Sequence, residues 1–265
     1  MHRLTGYRFA YLVALVTPAL LVSPGRAEGQ VGAIGIFPTK LVIGANASSG
    51  SIQLKNDSGR ESRFQITTHR WSNSPSGEMT EMQLAPTQDL LVFPTVLSLR
   101  PGETRSIRVG ATVKVGATEL SYRLLIDELG NASDGRSGSG VQMLRQLNVP
   151  VFIQPATRQL KVELDRISIT RPGIVAAHVR NLGSVRFVVR DIQFDGRDGK
   201  GRSVVTTTRN GWYVLPGDDI AYEIPFDASV CAQLASLHVS IALHDAPVDR
   251  LTETAQLAPG GCAVR

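Results

Sequence analysis

The sequence predicts an all-β protein built as two successive sandwiches. Apolar residues recur at a period of two in short runs, and the stretches between those runs are rich in Gly, Pro, Asn, Asp and Ser. No segment sustains a helical period over three turns.

Strands are expected at 33–43, 49–56, 63–71, 89–94, 104–111, 120–129 and 141–153, separated by turn-forming runs such as NDSGRE, NSPSGE, LRPGE and GNASDGRSGSG. Seven short strands with frequent turn signals describe a sandwich of immunoglobulin type. QPATRQ, 154–159, reads as a linker. A second, somewhat smaller set of strands is expected at 160–169, 173–181, 186–196, 201–208, 211–226 and 237–245.

The first residues have the layout of a secretory signal. Arg3 and Arg8 form a basic start, 9–22 is an apolar run, and Gly25-Arg26-Ala27 offers small residues around a cut. The run is too short for a confident membrane span. The expected organisation is therefore a signal peptide at 1–27, a first sandwich at 28–155 and a second at 156–265. Loss of Arg3, Arg8 and Arg26 takes the 28 basic residues to 25 against 23 acidic ones, which is no footprint for nucleic acid. Cys231 and Cys262 are an even pair in an exported chain, which favours a disulfide; the alternative is two unpaired thiols.

Chemistry of the enzymatic kind is not legible. His69, His178, His238 and His244 fall in no metal-binding spacing, and no nucleophile elbow, phosphate loop or dinucleotide fingerprint appears. His244 and Asp245 are adjacent, so on a strand they point to opposite faces. No enzyme activity, metal or cofactor is expected.

Several ordered stretches carry a resemblance. FPTKLVI followed by SGSIQLKND, then VFPTVLSLRPGETRSIRV with Pro94, Leu99, Pro101, Gly102 and Arg108, then ELSYRLLIDEL and VPVFIQPA, resemble the periplasmic pilus-assembly chaperones of the PapD-like family. VRNLG and YVLPGDDIAYEI resemble that family's second domain. HRW, YRLLIDEL and LNVPVF are most similar to its archaic, Csu-type branch and to spore-coat-U-associated systems. The resemblance covers nearly all of the chain after the signal. It implies two immunoglobulin-like sandwiches in a boomerang arrangement. The implied partners are pilin or coat-protein subunits and an outer-membrane usher, with no cofactor, no nucleic acid and no embedding in a membrane.

The resemblance also assigns roles. Family chaperones lend a strand to an incomplete subunit and grip the subunit's terminal carboxylate with two basic residues. Lys40 matches the first of these. Pro150 stands where the second is usual, and Arg123 on the neighbouring strand is expected to take its place. Val141, Met143, Leu147 and Val149 are the expected donor side chains, each contributing about 1.5–3 kcal/mol when buried in a partner. Arg145 interrupts that face, and its aliphatic stem is expected at the partner's rim or over its groove, or to shift the register. The same alternation also suits a strand facing its own core. Arg108 and Glu119 read as structural or interdomain charges, with Gln154 where a basic partner of Glu119 is usual. The alternative function from another class is an immunoglobulin-like adhesin or binding module.

Overall fold

The structure, a computed structural model, describes residues 33–74, 82–130, 143–244 and 249–257. Apart from one short helix, α1 (Ala228–Cys231), its regular elements are strands.

The first half packs two sheets face to face. One has the order β1 (Ile34–Phe37), β3 (Ser49–Asn56), β8 (Thr104–Ala111), β6 (Leu90–Phe93). The other runs β2 (Leu41–Ile43), β10 (Gln146–Ile153), β9 (Leu120–Leu129), β4 (Ser62–Ser72), β5 (Gln83–Pro86), with β7 (Val96–Leu99) also paired to β4. Alternate residues of both sheets, including Ile52, Leu54, Phe64, Ile107, Leu124 and Ile126, interdigitate as one core.

The second half repeats the plan. Three strands, β11 (Val162–Arg171), β12 (Ile174–Asn181) and β16 (Asp219–Pro225), face a sheet of β14 (Ser203–Asn210), β13 (Phe187–Arg197), β17 (Ser236–His244) and β18 (Arg250–Gln256), with β15 (Tyr213–Val214) on β13. Phe187, Phe194, Ile192, Val239 and Ile241 are among its fully enclosed side chains.

Several expected elements are corrected. The strand expected at 33–43 is two strands in different sheets, interrupted at Pro38, which has no N–H to continue a ladder. The strand expected at 141–153 begins only at Gln146. The run 211–226 divides into β15 and β16 at the turn Leu215-Pro216-Gly217-Asp218. β5, β7, β18 and α1 are short elements that the expected strands do not include.

Each sandwich is closed by the same corner. In the first, Asn56 is fully buried, and its Nδ2 donates to the carbonyls of Arg60 at 2.7 Å and Leu99 at 2.9 Å, while Oδ1 accepts the Ser58 N–H at 2.9 Å. Its backbone accepts from Gly102 and donates to Glu103. In the second, Asn181 Nδ2 donates to Val185 and Val214, each at 3.0 Å, and Oδ1 accepts the Gly183 N–H at 3.0 Å. Its backbone accepts from Gly217 and donates to Asp218. Both Asn residues meet a Pro-Gly turn, and the turn glycines sit at φ +77 and +86, where an L side chain is strained. Asn56→Ala and Asn181→Ala would each remove the hydrogen bonds to two carbonyls and an N–H. Each is expected to lower stability by about 2–4 kcal/mol in chemical denaturation. A loss below about 1 kcal/mol would show the corner to be dispensable.

Candidate functional site

β10 is the element on which the site is built. Its odd-numbered residues Val149, Val151 and Ile153 enter the core of the first sandwich, and Phe152 lies on the opposite face with Trp71 and Leu215. Opposite Asp127 to Leu120, it pairs along its whole length with β9. On its other side β2 covers only Val151 to Ile153, in parallel register.

The hydrogen-bond parity of that edge follows from one bond. Glu128 N donates to Arg145 O at 2.8 Å, and Arg145 stands directly opposite Glu128 in the antiparallel register. Alternation along the ladder then aims Leu147 and Val149 at β9, and Gln146, Asn148 and Pro150 outward. Gln146 and Asn148 thus present N–H and C=O groups along an edge that no described strand covers. Pro150 occupies an outward position, where its missing N–H costs the β9 ladder nothing.

The expected donor side chains divide. Val149 is 2% exposed and is spent on its own core, so it is not available to a partner. Leu147 is half-buried against the same core. Met143 is 82% exposed, with Leu144 beside it also exposed, but both precede the strand. Val141 lies outside the described residues. Arg145 is held by Glu128. Its Nε donates to Glu128 Oε2 at 2.8 Å and its Nη2 to Glu128 Oε1 at 3.1 Å, while Ser62 Oγ also donates to that carboxylate at 2.9 Å.

The two expected basic residues share one face. Pro150 pairs with Arg123, which pairs with His69, and Lys40 stands one step before the Leu41–Val151 pair. Across β2, β10, β9 and β4 the row therefore reads Lys40, Pro150, Arg123, His69, on the side away from the core. At strand spacing, the Lys40 and Arg123 backbones lie about 10 Å apart.

Arg123 is an unusual cation. It is 3% exposed, no carboxylate is paired with it among the described residues, and its Nε and Nη2 have no hydrogen-bond partner there. Its guanidinium lies 3.6 Å from the centre of the Trp71 ring, with Trp212 at 5.6 Å and Tyr213 at 5.7 Å. Burial pulls its pKa down to about 10, so it remains charged at neutral pH. Cation–π attraction of about 2 kcal/mol in a desolvated setting offsets only part of the cost of that burial. Ser121 Oγ, His69 Nδ1 and Trp212 Nε1 are further buried polar atoms without partners there.

Glu119 is not part of this cation's environment. Its carboxylate, enclosed at 0% side-chain exposure, accepts from Arg186 Nη1 at 2.6 Å, from the Arg186 backbone N–H at 3.2 Å and from Gln154 Nε2 at 3.2 Å. Arg186 belongs to the second half and stacks over Phe152 at 3.5 Å. The basic partner of Glu119 thus comes from across the junction and not from the strand that carries Gln154. Arg108 lies far from this network in register terms, exposed on β8 between Ser51 and Phe93. Cys231 is buried, and Cys262 lies outside the described residues. No group of three or more His, Cys, Asp or Glu able to hold a metal ion occurs among the described residues.

Trp71, Trp212, Tyr213, Arg186 and Glu128 were not read as site residues from the sequence. HRW and GWY were visible as aromatic runs, but their meeting over Arg123 depends on the approach of the two halves.

The Arg145 clasp has a pH signature. The Arg145 hydrogen bond holds the Glu128 carboxyl below the usual carboxylate range. That contribution is fully present above the unfolded value of about 4.3 and is lost as pH falls through the folded value. Glu128→Gln is therefore expected to lower the melting temperature at pH 7, with the gap to the parent narrowing below about pH 4. A gap unchanged by acid would exclude the clasp.

Residues 33–159 match the family described as the pili and flagellar-assembly chaperone, PapD N-terminal domain. No curated protein matches the sequence. Among solved structures, the class 5 fimbriae chaperone CfaA is 16% identical with a TM-score of 0.54, covering 84% of this chain and 98% of that one. A chain of the CsuC–CsuE chaperone–tip subunit complex from the archaic Csu pili of Acinetobacter baumannii is 15% identical with a TM-score of 0.54, covering 84% and 97%. A chain of the SafA pilin–SafB chaperone complex of Salmonella enterica is 10% identical with a TM-score of 0.56, covering 86% and 98%. The chain is a two-sandwich β protein whose residues 33–159 match the PapD N-terminal domain family of pili and flagellar-assembly chaperones.

Proposed function

We propose that this chain is a periplasmic chaperone of the archaic type that binds pilus or secreted-coat subunits by strand addition and delivers them to an outer-membrane usher. The observation that carries the reading is a buried Arg123, with no paired carboxylate among the described residues, beside an outward strand edge that β2 leaves uncovered. An incoming strand would pair with Gln146 and Asn148, and the apolar side chains nearest that edge are Leu147 and, ahead of it, Met143. Its terminal carboxylate would enter the row of Lys40 and Arg123, where charge-assisted hydrogen bonds replace lost water. The family match of residues 33–159 and the chaperone complexes among the similar folds agree with this.

Export fits the basic-apolar layout of 1–27, with cleavage after Ala27 and sandwiches over 28–155 and 156–265. A disulfide between Cys231 and Cys262 fits the same compartment, and no cysteine is a free thiol among the described residues. No ATP or cofactor enters, because the exchange of one strand for a better-fitting one supplies the free energy. An enzymatic role has no support.

The test is co-expression of the full chain with a pilin-type subunit lacking its final strand. A stable one-to-one complex is expected, and Lys40→Glu or Arg123→Ala should weaken it roughly tenfold to hundredfold while each variant still folds. A subunit that aggregates as much with the parent chain as without it would favour a binding module of another kind. Unchanged recovery with both variants would remove the anchor.

A further inference from the structure

A guanidinium held among aromatic rings keeps its place only while those rings keep theirs. Trp71 is the ring in contact with Arg123, and it stands at the penultimate position of β4, where a strand end is least restrained by its ladder. Its indole N–H is not left to solvent. It donates to Asn73 Oδ1 at 3.0 Å.

Asn73 in turn takes its position from the second sandwich. Its Nδ2 donates to Asp218 Oδ2 at 2.7 Å and to the Tyr213 carbonyl at 2.8 Å. Asp218 is fixed by its own turn, where Oδ2 also accepts the Leu215 N–H at 2.7 Å. No cation is paired with this carboxylate among the described residues, and burial holds its carboxyl above the ordinary range. A buried, unpaired anion bonded by one amide and one N–H is an expensive way to fasten a loop. Trp212, one residue before Tyr213, faces the same guanidinium from the second sandwich.

The geometry points to Asn73 and Asp218 as positioning residues for the carboxylate grip. Through Trp71 they set Arg123 from the second sandwich, so the grip needs both halves although its charges stand in the first. This inference rests on the reading of Arg123 as a carboxylate-binding group. A misplaced guanidinium would keep its charge and lose its direction, and direction is what separates a carboxylate from any other chain end.

The test uses the full chain and two short synthetic peptides of alternating valine and threonine, alike except that one ends in a free carboxylate and the other in an amide. The parent protein is expected to prefer the acid by about tenfold or more. Asn73→Leu should bring that preference close to one while leaving amide binding within about twofold, a split that mere loss of stability would not produce. Asp218→Asn, which keeps an oxygen acceptor for Asn73 and Leu215, should retain the preference, and Asp218→Leu should lose it. Trp71→Phe keeps an aromatic ring at this position while losing the indole N–H and part of the indole face, so it repeats the test should Asn73→Leu fail to fold. A parent that prefers the acid together with an Asn73→Leu or Trp71→Phe variant that prefers it equally would overturn the positioning role. A parent with no preference would overturn the anchor reading instead.

Discussion

The buried ion pair between Glu119 and Arg186 fixes how the two sandwiches meet, and the candidate site depends on that meeting. The pair is enclosed, supplemented by a backbone N–H and by Gln154, and seated over Phe152. Such a pair is weak evidence for net stability, since desolvation consumes most of the attraction. Its value is geometric: removing either partner leaves a charge stranded at the junction, so mutual orientations that separate them are strongly disfavoured. Leu215, Trp212 and Tyr213 are thereby held against Trp71 and Phe152, with ring centres 5.3 to 5.8 Å apart.

Two neighbouring arginines differ in how they are paired. Arg186 has a carboxylate and acts as a structural bolt. Arg123, on the same face of the sheet, has aromatic rings and no paired carboxylate among the described residues. Aromatic faces tolerate a cation without neutralising its hydrogen-bonding capacity, because they engage the π surface of the guanidinium and leave its N–H edge unspent. Arg145 is a third arrangement, in which a bidentate carboxylate fixes the chain just where β10 begins.

Much of the fold was legible because it rests on period-two alternation and turn chemistry. β3, β8 and β9 fall on the expected residues, and both Asn-ending strands and both Pro-Gly turns lie where composition puts them. The start of β10 was not legible, because Met143 and Val141 extend the same alternation and only the tertiary claim of Glu128 on Arg145 marks where pairing begins. β5, β7 and β18 were missed because four to seven residues of mixed polarity carry no periodic signal of their own. Of the site, Lys40 and Arg123 were named from the resemblance, and register places them in one row. Val149 was named with the donors because alternation fixes which residues share a face, not which protein that face will cover. Arg186, Trp212 and Asp218 belong to the other sandwich, and no local pattern announces a contact made 67 to 145 residues away.

Pro150 has a consequence for how any added strand would be read. The outer edge of β10 offers a ladder with one rung missing, since the residue at that position accepts but never donates. A visiting strand that slid by two residues would keep its side chains on the correct faces, which is the slip that ordinary edges punish least. Such a slip only exchanges one unbonded visiting carbonyl for another, so along a strand that runs past the gap the cost is the same in every register. A visitor whose chain stops at that position has no carbonyl to lose there, and the missing rung thus favours a strand that ends where the proline stands.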